Sequence, residues 1–113
     1  MFDMEFETIN QRALEIREKY NELNFKQRGV RWNATQVMAG FVGDMGDLSK
    51  IIMAKDGLRA MDDVDAKLSH ELSDCLWSLL VIASKYDIDL ASEFMKTMDE
   101  LEERVEKELA KPV

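Results

Sequence analysis

The 113 residues, 46% hydrophobic and 34% charged, have the size and balance of a single domain with one core. A net charge of −8 argues against a surface for nucleic acid polymers, which needs Lys and Arg to displace counterions. No run of about 18 apolar residues occurs, so no membrane-spanning helix is expected. The segment Met1–Glu5 lacks the basic region of a secretion leader, and the lone Cys75 cannot form an internal disulfide. A cytoplasmic protein, unattached to membrane, is the expectation.

The only proline is Pro112, which leaves long helices free to form through most of residues 1–113. The spacing predicts a first helix from Glu5 to Asn24, with Phe6, Ile9, Ala13, Ile16, Tyr20 and Leu23 as one narrow apolar seam. A basic, irregular connector, Lys26-Gln27-Arg28-Gly29-Val30-Arg31-Trp32, follows it. Asn33 with Gln36 three residues on writes a capping box, which predicts a second helix from there to Lys55. Val37, Phe41, Met45, Leu48 and Ile52 run down its centre. Gly40, Gly43 and Gly46 recur along one side, where close approach of a backbone or ligand would compensate for their low helix propensity.

Asp56-Gly57 ends that helix and opens a polar loop to Asp63. The third helix is expected over Asp65–Tyr86, with Leu68, Leu72, Cys75, Leu76, Leu79, Ala83 and Tyr86 as its main stripe. Trp77, Leu80 and Val81 add apolar surface on its other sides, which points to cover by a second subunit. Asp89 caps a fourth helix that reaches Ala110 through Phe94, Met98, Leu101, Val105 and Leu109. The fold class is therefore all-α, four helices in one domain spanning residues 1–113. The eight methionines and Cys75 are read as core filling.

Two acidic pairs stand inside the two most apolar of these helices: Asp44-Met-Gly-Asp47 and Glu71-Leu-Ser-Asp74. Residues three apart share a helix face, so each pair sends two carboxylates in one direction. A single D-x-x-D is common on wet helix faces. Two pairs on adjacent apolar helices are not, because unpaired buried charge costs several kcal/mol or more. Four such carboxylates form an oxygen-rich site for a hard divalent cation, Mg²⁺ above all, with Mn²⁺ as a substitute. His70 is the only histidine and lacks the Glu-x-x-His pattern of di-iron bundles, which leaves zinc and non-haem iron poorly supported. Trp32, beside Arg28 and Arg31, is a candidate to stack on a nucleotide base, or to pack at the start of the helix.

These paired motifs, in this order over about Trp32 to Val105, resemble the all-α nucleoside triphosphate pyrophosphohydrolases of the MazG type, relatives of the dimeric dUTPases. The stretch Gly43-Asp44-Met45-Gly46-Asp47-Leu48 resembles the family's first motif, and His70-Glu71-Leu72-Ser73-Asp74 its second. Tyr86-Asp87-Ile88-Asp89-Leu90 is similar to the family's turn into its last helix. The resemblance implies a four-helix MazG-like protomer, assembled as a homodimer or a dimer of dimers. It further implies Mg²⁺ held by Asp44, Asp47, Glu71 and Asp74, with Glu71 and Asp74 catalytic. The implied reaction splits a nucleoside triphosphate between its α and β phosphates, releasing monophosphate and pyrophosphate, as housekeeping of the nucleotide pool. Two departures set this chain apart. Gly43 stands where many members carry an additional glutamate, and both acids of the first motif are the shorter aspartate. They support an alternative, a catalytically weakened relative that binds a nucleotide or a partner.

Overall fold

The structure, a computed structural model, describes residues 5–113; the stretch read above for a leader, residues 1–4, lies outside them. It consists of four α-helices: α1 (Phe6–Arg28), α2 (Ala34–Lys55), α3 (Val64–Lys85) and α4 (Leu90–Leu109). No strand occurs among the described residues, and none of their helices is long and apolar enough to cross a membrane.

Local chemistry places most helix ends where the spacing predicts them. The Asn33 side chain accepts from the Gln36 N–H at 3.0 Å, while the Asn33 N–H donates to Gln36 Oε1 at 2.9 Å, closing the capping box. Asp89 Oδ1 accepts from the Ser92 N–H at 3.1 Å and fixes the start of α4. The first helix is the exception. It runs through Lys26-Gln27-Arg28, so only Gly29 to Asn33 is irregular, and it ends on Gly29 at φ 70°, whose N–H donates to Phe25 O at 2.8 Å. Lys26 and Arg28 suit a last turn, where the helix dipole is negative. Glycine, not the basic run, is the stop.

Packing joins α2 to α3 and α1 to α3, so α3 is the central element. The core is Ala13, Val37, Ile51, Cys75, Leu80, Val81 and Ala83. This corrects the expected faces. Leu80 and Val81, expected to need a second subunit, are buried within the protomer, and the Trp77 indole N–H donates to Ala13 O at 3.0 Å. Of the expected main stripe of α3, Cys75 and Ala83 are buried, whereas Leu72, Leu76, Leu79 and Tyr86 are exposed. On α2, Ile51 faces inward while Met45 and Ile52 do not. On α1, Tyr20 and Leu23 are exposed, and Asn24 takes the inward position. No element approaches Gly40, Gly43 or Gly46 closely: a Cβ built on each meets nothing within 4 Å.

Candidate metal centre

The acids of α2 and α3 face one another across the seam between these helices. Asp44, Asp47 and Glu71 each bring one carboxylate oxygen within 4.8 Å of the other two. Asp44 and Glu71 are half-buried and Asp47 is exposed. Asp74 is beside the trio rather than in it. Its Oδ2 lies 3.1 Å from His70 Nε2, one turn earlier on α3. Three of the four expected acids therefore converge, and the fourth is paired with a histidine that the spacing left at the margin.

Burial and mutual repulsion mark Asp44 and Glu71 electrostatically. Desolvation raises the Asp44 carboxyl above its ordinary range, with Asp74 and Asp47 adding to the rise and His70 opposing it. Glu71 is raised for the same reasons, by desolvation first and then by Asp44, Asp74 and Asp47. Burial, then the charges of Asp44, Glu71 and Asp74, also raise the Cys75 thiol, which keeps it a protonated, poorly nucleophilic side chain. One Glu71 oxygen, Oε2, is buried with no hydrogen-bond partner. An orphaned anionic oxygen beside two further carboxylates is the feature a cation would satisfy. The donors are hard oxygens, which suits Mg²⁺, an ion that binds to one or two carboxylates and keeps positions for phosphate and water.

Raised carboxyl pKa values have a sign that can be checked. Over the pH range between their unfolded and folded values, Asp44 and Glu71 in the folded, metal-free protein hold protons that the unfolded chain has lost. Their contribution to stability is full below the unfolded carboxylate range and is lost as pH rises through the folded values. Metal binding requires the ionised forms, so it strengthens over that same rise. The increase in Tm on adding Mg²⁺ is therefore expected to be larger at pH 7.5 than at pH 5. Equal increments at both pH values would separate these two carboxyls from metal binding.

Two cavities flank the acids. One, of about 520 Å³, lies between α1, α2 and α3 and includes Asp44 and Asp74 in its wall. Its wall also includes the aromatic Tyr20, Trp32 and Trp77 and the polar Arg17 and Asn24. Tyr20 and Trp77 are tilted against each other with ring centroids 5.9 Å apart. The buried Arg17 Nε has no hydrogen-bond partner, although Arg17 Nη2 pairs with Glu18 at 3.1 Å. The second cavity, of about 560 Å³, includes Asp47 and Glu71 with Lys50, Lys67 and His70. The expected substrate residue Trp32 is thus in the first cavity. Arg17, Asn21 and Asn24 were not anticipated there. Their signal is a polar row at i, i+4 and i+7 alongside the apolar seam of α1.

No protein-family model matches the chain, and neither a curated protein nor a solved structure is detectably similar to it.

Proposed function

We propose that this chain is a Mg²⁺-dependent nucleoside triphosphate pyrophosphohydrolase of MazG-like type, releasing a nucleoside monophosphate and pyrophosphate. The observation that carries the reading is the meeting of Asp44, Asp47 and Glu71 from two helices, with one Glu71 oxygen buried and unpartnered. The flanking cavities fit the two ends of such a substrate. Tyr20, Trp32 and Trp77 offer aromatic faces to a base, while Lys50 and Lys67 offer positive charge to the outer phosphates.

In this reading Asp44, Asp47 and Glu71 hold the ion, and Mn²⁺ substitutes for Mg²⁺. When bound, the metal neutralises phosphate charge and makes water more acidic. Glu71, half-buried with its Oε2 covered, anchors the set, and its position fixes the reacting phosphate relative to α3. Asp74, outside the trio but adjoining Asp44, accepts the proton of the attacking water. His70 holds the Asp74 carboxylate in place through their 3.1 Å contact. Arg17 and Asn24 orient the nucleoside end by hydrogen bonds from the cavity wall. The test is pyrophosphate release across the common and damaged nucleoside triphosphates with Mg²⁺ and with Mn²⁺. Release from none of them removes the catalytic reading.

Gly43 favours a second reading, a weakened relative that binds a nucleotide without turnover. It precedes Asp44 directly and brings no carboxylate to the cluster. Space is available, since a Cβ there meets nothing within 4 Å. Gly43→Glu is expected to raise Mg²⁺ affinity and to increase or create triphosphate hydrolysis. The same change should favour the helix by up to about 1 kcal/mol, the usual penalty of an interior glycine. Calorimetric Mg²⁺ titration of both forms decides it. Unchanged affinity in a folded variant means that position 43 does not face the metal.

A further inference from the structure

We infer that the chain carries a second, cation-built site for a phosphate group, where the connector of residues 29–33 meets α1, α2 and α3. A cavity of about 340 Å³ lies there, and three cations line it: Arg17 from α1, Arg31 from the connector and Lys85 from the last turn of α3. No Asp or Glu is in its wall. In the chain as a whole 23 acids outnumber 15 bases, so the local balance is the reverse of the overall one. Positive side chains gathered from three elements, with no carboxylate among them, repel one another until an anion enters.

The cations are available to a ligand. Arg31 and Lys85 form no ion pair among the described residues. The Arg31 guanidinium lies 5.8 Å from the centre of the Phe25 ring, a contact that orients the group without neutralising it. Arg17 pairs through Nη2 with the exposed Glu18 at 3.1 Å, while its buried Nε–H has no acceptor. A ligand oxygen would supply one. Val37 and Val81, both buried, also line the cavity, so charge there is screened less than on an open face. The start of α2 does not carry the site, because the Asn33 and Gln36 N–H groups are already taken by the capping box. A phosphate suits the three cations better than a carboxylate, since its oxygens point in several directions and can meet two guanidinium groups and an ammonium together.

Position separates this site from the acids. Arg17, Asn21, Trp32 and Val37 belong both to this cavity and to the aromatic one that includes Asp44 and Asp74. Val37 is seven residues before Asp44 on α2, and Lys85 eleven after Asp74 on α3. At the helical rise, about 10 Å and about 16 Å of helix lie between them. The cations therefore suit a phosphate at the far end of a ligand held in the aromatic cavity, or one carried by a separate effector.

The inference does not rest on the metal reading, and its test uses neither metal nor triphosphate. Trp32 and Trp77, the two tryptophans of the chain, report separately, since Trp32 lines both cavities and Trp77 only the aromatic one. Inorganic phosphate at millimolar concentration and constant ionic strength is expected to shift the Trp32 indole N–H resonance saturably and to leave that of Trp77 nearly in place. In Arg31→Gln and in Lys85→Gln, both at exposed positions, the affinity should fall about fivefold or more. Lys19→Gln, which removes the same charge from a residue outside these cavities, should leave it unchanged. No saturable shift in the parent overturns the proposal, as does parental affinity in both cation variants or an equal loss in Lys19→Gln. A nucleoside 3′,5′-bisphosphate then identifies the source of the phosphate. Binding about tenfold tighter than inorganic phosphate, with Trp77 now shifting as well, places both groups on one ligand. Equal affinity, with Trp77 unmoved, assigns the site to a separate phosphate-bearing effector.

Discussion

Glu71→Gln is expected to reduce pyrophosphate release at least 100-fold while leaving the metal-free protein as stable as before, or more so. A hundredfold is about 2.7 kcal/mol of barrier, a modest figure for loss of the metal ligand proposed above. The stability sign follows from the site. Glu71 carries a buried oxygen without a partner, and its carboxyl is destabilised by burial and by Asp44, Asp74 and Asp47. Glutamine keeps the shape and removes the charge, and its amide N–H can donate to a neighbouring carboxylate. Thermal stabilisation by Mg²⁺, which reflects preferential binding to the folded state, should shrink in parallel. Asp74→Asn separates the roles. It should also reduce turnover, since a proton acceptor is lost, yet retain most of the Mg²⁺ stabilisation because Asp74 is outside the trio. Full turnover by Glu71→Gln ends the assignment of this cluster as a catalytic metal centre.

The second large effect concerns the fold itself. Leu80→Ala is expected to lower stability by about 2–5 kcal/mol, the usual range for truncating a core leucine. Leu80 is 1% exposed, the most completely buried large side chain among the described residues. A loss of that size is a large share of the 5–15 kcal/mol that holds a typical domain together. Leu72→Ala on the same helix is the control, with Leu72 51% exposed in the protomer. Its effect should be much smaller, because truncating an exposed side chain removes little buried surface. Urea denaturation of both variants reads the difference. A Leu80→Ala protein as stable as the parent would contradict the burial of Leu80 in the core.

Features written in neighbouring residues were legible from the sequence. Four helices followed from apolar spacing and from the near absence of proline. The Asn33–Gln36 box and the Asp89 cap were legible because a cap bonds to groups two or three residues away. Pairing within Asp44–Asp47 and within Glu71–Asp74 needed only the helical repeat.

What the sequence left open was the rotation of each helix about its axis, and with it which acids meet. Helices α2 and α3 carry apolar residues on more than one side, so periodicity cannot choose among those sides. Tertiary packing chose Leu80 and Val81 over Leu72 and Leu76, and Ile51 over Ile52. It also turned Asn24 inward on α1, because that side of the helix borders a cavity in which a polar amide need not lose all its partners. The same rotations bring Glu71 to Asp44 and Asp47, 24 or more residues away on α2, a meeting that no local spacing encodes, whereas the pairing of Asp74 with His70 is an i, i+4 contact within α3.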